Sequence, residues 1–263
     1  MGLRPRRAST CLPVMSNIVL VTGASSGIGA ATARRFVRAG ARVIAAARRM
    51  DRLTRLRDEL GPALHAVELD VRDRDAVERC VAALPPELAA IDVLVNNAGL
   101  ALGLAPAPSA SLEDWEQMVD TNVKGLLFVT RAILPGMVER RRGHVVNLGS
   151  VAGSYPYPGG NAYAGTKAFV EQFSLALRAD VHGSGVRVTS VEPGMVETEF
   201  SEVRFGGDVE RAAAVYRGFR PLSGDDIAEA IVWCASLPAH VNINRLEIMP
   251  TAQSFAGFAV AKG

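Results

Sequence analysis

The sequence predicts an α/β fold: a doubly wound parallel sheet of seven strands with helices on both faces, in a single domain. Three observations lead there. From residue 17 onward, short runs rich in Val, Ile and Leu alternate with helix-like segments. Those runs are often apolar at consecutive positions, as in strands covered on both faces. A glycine-rich turn joins the first run to the first helix-like segment, where an open parallel sheet places a ligand crevice.

The elements follow in order. "NIVLVT" (17–22) is the first strand, and "IGAATARRFVRAG" a helix closed by Gly40. "ARVIAAA" (41–47) is the second strand, followed by a charged helix from Asp51 to about Leu60. "ALHAVEL" (63–69) is the third, and a helix near 73–84 stops at Pro85-Pro86. "IDVLVN" (91–96), "GHVVNLG" (143–149), "GVRVTSV" (185–191) and "NRLEIM" (244–249) complete the sheet. Helical segments at 112–141 and 161–181 are apolar around more than one face. One face packs on the sheet; the excess goes to a subunit interface or to deeper burial within the chain. Residues 195–220 should form a lid over the crevice at the strands' carboxyl ends.

Composition narrows the function. The chain has 263 residues, 49% hydrophobic and 21% charged, ordinary for a soluble globular protein. Net charge is +2, and three arginines fall in the first fourteen residues, which hold no acid. The near-neutral body has no electrostatic reason to bind nucleic acid or an acidic membrane. No apolar run approaches the ~18 residues of a membrane span. Residues 1–16, with Pro5 and Pro13, read as a disordered extension before a domain at 17–263, or as a start placed ahead of a working Met15. Cys11, Cys80 and Cys234, and His65, His144, His182 and His240, are scattered without metal-ligand spacing. They read as free thiols and structural histidines in a reducing, cytoplasmic setting.

"VTGASSGIGAA" (21–31) carries Gly23, Gly27 and Gly29 around Ser25, Ser26 and Ile28. Glycines let the backbone approach a pyrophosphate, the helix N-terminus offers free N–H groups, and the serines add hydroxyl donors. About twenty residues on, where NAD-preferring folds place an acid for the ribose 2′-hydroxyl, the chain has Arg48 and Arg49. Both can clamp a 2′-phosphate, so the expected cofactor is NADP(H) on a Rossmann-like sheet. The other reading makes them solvent-exposed cations opening the next helix.

"NAYAGTKAFVEQF" places Tyr163 and Lys167 four apart, hence side by side on a helix. With four Tyr and three Lys in the chain, roughly 0.05 such pairs are expected by chance. A nearby ammonium is expected to lower the phenol's pKa and equip it for acid–base work. Ser150 ends the fifth strand and can hydrogen-bond a substrate carbonyl.

In order, "TGASSGIG", "NNAG" (96–99), Asn122, Ser150, "YAGTK" and "PG" (193–194) resemble the short-chain dehydrogenase/reductase family over residues 17–250. The resemblance implies a catalytic tetrad of Asn122, Ser150, Tyr163 and Lys167. Tyr163 would give the proton, Ser150 polarise the carbonyl, Lys167 hold the nicotinamide ribose, and Asn122 support a water relay. Asp70 and Val71 would flank adenine and Asn97 line the groove. Pro193, Gly194 and Val196 would serve the cofactor, with Thr198 reaching the carboxamide. A dimer or, preferentially, a tetramer through the two long helices is also implied.

"NNAGLALG", "EPGMVETEFSEVRFGGD" and "LPAHVNINRLEIMP" further resemble the NADP-dependent 3-hydroxy acid dehydrogenases. That subgroup reduces malonic semialdehyde and oxidises serine and L-allo-threonine. Arg204 is the candidate for the substrate carboxylate, unless it pairs with Glu202 or Asp208. A broader secondary-alcohol dehydrogenase, or a dinucleotide-binding regulator without catalysis, are the alternatives.

Overall fold

Strand β1 (Ile18–Thr22) is buried at every position. Val19 and Val21 join one hydrophobic core, while Ile18 and Leu20 join another. Side chains of a strand alternate between faces, so a strand apolar at every position must be covered twice. The same split recurs in β2 (Arg42–Ala47), where Val43 and Ala45 oppose Ile44 and Ala46.

The structure is a computed structural model that describes residues 17–255. The expected disordered extension, residues 1–16, lies outside the described residues, as do residues 256–263. The remaining strands are β3 (Leu64–Glu68), β4 (Val93–Asn96), β5 (Gly143–Leu148), β6 (Val186–Pro193), β7 (Val196–Glu197), β8 (Leu222–Ser223) and β9 (Arg245–Ile248). Seven of them form one parallel sheet in the order β3-β2-β1-β4-β5-β6-β9. The order reverses between β1 and β4, and the crevice opens there.

The helices are α1 (Gly27–Arg38), α2 (Met50–Leu60), α3 (Arg74–Ala82), α4 (Leu112–Val119), α5 (Leu126–Glu139), α6 (Asn161–Asp180), α7 (Phe200–Arg204), α8 (Val209–Ala214) and α9 (Gly224–Ser236). Phe36, Leu53 and Ile231 place α1, α2 and α9 on one face; Val77, Ile133 and Leu177 place α3, α5 and α6 on the other. Helix α1 ends as expected. Gly40 takes φ +90°, its N–H reaches the Val37 carbonyl, and the Ala41 N–H reaches that of Phe36.

Two expectations need correction, and two features go beyond them. The segment 112–141 is not one α-helix: a π-helical turn, Asp120–Gly125, separates α4 from α5. A Cβ on Gly125 would meet Val71 Cγ2 at 2.6 Å, so this turn presses against the loop after β3. Helix α3 ends at Ala82, short of the two prolines. The lid contains two short helices, α7 and α8, and is closed at its base by β7 pairing with β8. Finally, α9 was not anticipated. Ser223 and Asp226 form a reciprocal cap at its start, and its apolar face packs on α1.

A buried polar chain ties α5 and α6 to the sheet. Asn96 Nδ2 donates to Thr130 Oγ1 at 2.9 Å and to Asn147 Oδ1 at 2.8 Å, and Asn147 Nδ2 donates to Ser174 Oγ at 2.9 Å. A pair of interlocked asparagines at the middle of a parallel sheet allows little slippage of α6 along β5.

Candidate active site

A crevice of about 760 Å³ lies at the carboxyl ends of the central strands, and the candidate residues from the glycine turn to Arg204 line it, with the exception of Gly29 and Asn122. Gly23 and Gly27 take φ +66° and +52°, which favours glycine at both. The fold supplies a further reason for glycine here. A Cβ at Gly23 would lie 2.9 Å from Ala98 Cα, and one at Gly29 would collide with the Gly23 carbonyl and the Asn97 amide. These two glycines let the turn pack on the loop after β4. Asn97 fastens that contact, its Nδ2 donating to the carbonyls of Thr22 and Gly23 at 2.9 and 3.2 Å. Gly27 faces Thr198 of the lid.

At the wall beyond the turn, Arg49 is half-buried. Its Nε and Nη2 donate to Ser25 Oγ at 3.2 and 3.1 Å, and Nη2 to Ser26 Oγ at 2.7 Å. Both hydroxyls accept from Arg49 and so keep their protons to donate. Arg48 is exposed and lies near enough to Asp70 to help hold its carboxyl below the usual range. The main cause of that lowering is the ion pair with Arg72, closest at 2.6 Å. Asp70 and buried Val71 both line the crevice.

At the other end, Tyr163 and Lys167 project from the first turns of α6, both buried. Lys167 Nζ donates to the Leu148 carbonyl at 2.7 Å and stands 5.8 Å from the centre of the Tyr163 ring. The expected lowering of the phenol pKa by Lys167 is not found here. Burial dominates both groups: it pushes Tyr163 up to about 12 and Lys167 down to about 8. A hydrogen bond from Ser150 and the charge of Arg204 pull Tyr163 part of the way back.

Asn122 sits in the π-helical turn and is buried. Its Oδ1 accepts from the Leu100 N–H at 2.8 Å, while Nδ2 donates to the Leu100 carbonyl at 2.8 Å and to Thr166 Oγ1 at 3.0 Å. Its side chain therefore clamps the loop after β4 to α6. Both amide protons are committed to protein groups, which leaves the side chain little to offer a water relay.

The lid closes over these groups. Phe200 meets the Tyr163 ring at 5.7 Å between centroids. Arg204 makes no ion pair with Glu202 or Asp208 among the described residues. Instead Nε donates to the Gly103 carbonyl at 3.1 Å and Nη2 to the Tyr157 hydroxyl at 2.8 Å, with the guanidinium 5.6 Å from the Tyr163 ring centre. Pro193, Gly194 and Val196 line the crevice where β6 passes into the lid. Gln253 was missed by the sequence reading; its Oε1 accepts from the Met195 N–H at 2.8 Å and packs against Gly194. Tyr157, Phe200 and Glu199 are further lining residues whose roles only tertiary contact reveals.

These features fit a dinucleotide. The first turn of α1 carries no acid, and Ser26 does not cap it with its side chain. Free N–H groups, serine hydroxyls and an arginine thus converge at one end of the crevice, and a buried acid–base pair stands at the other.

The short chain dehydrogenase family model matches residues 17–206, and the chain belongs to that family. It is 61% identical over 244 residues to the NADP-dependent 3-hydroxy acid dehydrogenase of Salmonella typhi, covering 92% of this chain and 98% of that one. It is 58% identical over 246 residues to the serine 3-dehydrogenase of Agrobacterium fabrum, covering 94% and 98%. Among solved structures, the closed form of a serine dehydrogenase complexed with NADP+ superposes with a TM-score of 0.92 at 58% identity, covering 93% of this chain and 99% of that one.

Burial of Lys167 yields a prediction. Its pKa of about 8 lies below the ordinary 10.5, so between those values the unfolded chain binds more protons than the folded one. The Lys167 contribution to stability should therefore rise with pH across that window, opposed in the wild type by the Cys234 thiol, which burial pushes up to about 11. Lys167→Met should be more stable than the wild type at neutral pH, and that advantage should shrink as pH rises through the window. Denaturant titrations across that window check it; parallel pH profiles for the two proteins would contradict it.

Proposed function

We propose that the protein is an NADP-dependent dehydrogenase that moves hydride between NADP(H) and a small 3-hydroxy acid or its carbonyl form. The observation that carries this reading is Arg204. A lid guanidinium stands over the buried Tyr163, with no carboxylate of its own among the described residues. Two carbon–carbon bonds separate the carboxyl carbon of a 3-hydroxy acid from C3, a span of roughly 2.5 Å. A carboxylate on the free edge of Arg204 thus keeps C3 near the Tyr163 hydroxyl. The names of the similar enzymes point the same way, to serine and other 3-hydroxy acids. Malonic semialdehyde is the corresponding three-carbon carbonyl substrate.

Bound NADPH supplies the hydride. In reduction the Tyr163 hydroxyl gives its proton to the carbonyl oxygen, and the Ser150 hydroxyl hydrogen-bonds the same oxygen as charge develops there. Burial keeps Tyr163 a phenol through the neutral range, which suits the donor role. In oxidation Tyr163 must first lose that proton. The positive charge of Arg204 and the Ser150 hydrogen bond then favour the phenolate, so oxidation should gain on the alkaline side. Lys167, fixed by Leu148, can offer its remaining N–H bonds to ribose hydroxyls. Phe200 shields the reacting oxygen from water.

Arg49, with Arg48 beside it, would hold the 2′-phosphate, and Ser25 and Ser26 the phosphates next to it. Gly23, Gly27, Ile28, Asp70, Val71, Asn97, Pro193, Gly194, Val196 and Thr198 would form the remaining cofactor wall, with Gly29 packing the turn against Asn97. We further read the protein as a cytoplasmic homo-oligomer, with a tetramer favoured. Leu112, Val119, Val138 and Phe169 support this, being large apolar side chains left exposed on α4, α5 and α6.

Two experiments follow. Replacing Arg48 and Arg49 together by Ala should raise the NADPH KM by about tenfold or more and leave NADH nearly unchanged. Equal effects on both cofactors would refute the phosphate role. NADPH formation from NADP+ should proceed with 3-hydroxypropionate, L-serine and L-allo-threonine in preference to a plain secondary alcohol. Arg204→Met should raise KM for the acids by about tenfold or more while sparing the alcohol. Turnover of the alcohol alone would discard the carboxylate site.

A further inference from the structure

Glu199 immediately precedes α7, inside the lid, and its carboxylate points at the arginine wall. Oε2 accepts from Arg49 Nη1 at 3.3 Å, and both carboxylate oxygens accept from Arg52 Nη1, Oε1 at 2.6 Å and Oε2 at 2.5 Å. Glu199 and Arg49 line the crevice; Arg52, one turn further along α2, does not. A guanidinium grips an oxyanion through paired N–H groups along one edge. On Arg49 both edges are engaged. The Nε/Nη2 edge holds Ser25, and the other edge holds Ser26 through Nη2 and Glu199 through Nη1.

We propose that Glu199 is a lid latch that competes with the cofactor 2′-phosphate for Arg49, and that Arg52 is the positioning residue that holds the latch aside. This rests on the reading of Arg49 as the 2′-phosphate ligand. A phosphate approaching Arg49 meets a carboxylate already seated on the same guanidinium, with a like charge a few ångströms away. It can take the Nη1 edge only if Glu199 gives it up. Arg52 makes that exchange possible, because it binds Glu199 more closely than Arg49 does and stays outside the phosphate's reach. When the phosphate takes Arg49, Glu199 remains on Arg52 and the lid remains anchored. A cofactor lacking the 2′-phosphate leaves the Arg49–Glu199 pair intact. The Arg49–Glu199 pair therefore responds to the phosphate that distinguishes the two nicotinamide cofactors, while the lid keeps its anchor on Arg52.

The test is cofactor binding without substrate, followed by fluorescence, for wild type, Glu199→Gln, Arg52→Met and the double variant. Wild-type preference for NADPH over NADH tests the underlying reading separately; equal affinities would remove it, and the latch with it. Given that preference, Glu199→Gln should tighten NADPH by about threefold at low salt and leave NADH unchanged, as fits a half-exposed ion pair. Arg52→Met should weaken NADPH by a similar factor, because Glu199 then settles on Arg49 alone. In the double variant that loss should vanish. Hydrogen exchange over residues 196–204 of the cofactor-free enzyme should rise in Glu199→Gln, which reports the released lid. Unchanged or weaker NADPH binding in Glu199→Gln overturns the proposal. So does an Arg52→Met loss that persists in the double variant, because Arg52 would then be contacting the phosphate itself.

Discussion

A lysine ammonium carried into the interior on one hydrogen bond governs the layout of this site. Among the described residues Lys167 has only the Leu148 carbonyl as protein acceptor, at 2.7 Å, and burial drives its pKa down to about 8. Such a group persists only where the surrounding framework is rigid enough to keep water and alternative rotamers out. The framework is visible. Leu148 is the last residue of a buried central strand, α6 is tied to that strand through Asn147 and Ser174, and Asn122 bolts α6 to the loop after β4. Gly99 completes it, since a Cβ there would press on Asn122 Oδ1 at 3.2 Å. Tyr163 inherits its environment from this arrangement, and its raised pKa has the same origin in burial.

The opposite end of the crevice works by charge and not by exclusion. Arg49 joins the serines of the glycine turn to Glu199 of the lid, and Arg204 joins the lid to Gly103 and Tyr157. The lid is thus fastened at both ends to groups that would contact cofactor or substrate. Closure and binding are then two aspects of one equilibrium, and the affinity of the site depends on how those fastenings exchange.

Most of the fold is legible because the strands are doubly covered. Consecutive apolar residues such as those of "NIVLVT" and "RVIAAA" leave little choice of environment. The Tyr163–Lys167 pair is legible because helical spacing brings residues four apart together. Helix α9 carries a readable signal too, with Ser223 and Asp226 placed before the Ile227–Ile231 repeat. The π-helical turn is not legible, since it depends on Gly125 meeting Val71 across the crevice wall. Nor are the partners of Glu199, which lie 147 and 150 residues away in sequence. The sign of the Tyr163 shift also escaped the sequence. Spacing shows that an ammonium is near, but not that burial outweighs it.

The most direct test of this account is the ionisation of Tyr163 itself. A near-ultraviolet titration of the cofactor-free wild type, with Tyr163→Phe subtracted, isolates one phenol. The account predicts a phenol that stays protonated well past its ordinary value of 10, towards about 12. Ionisation below 10 would show that the Ser150 hydrogen bond and the charge of Arg204 outweigh burial without any cofactor, and would overturn the assignment of burial as the dominant influence on this phenol.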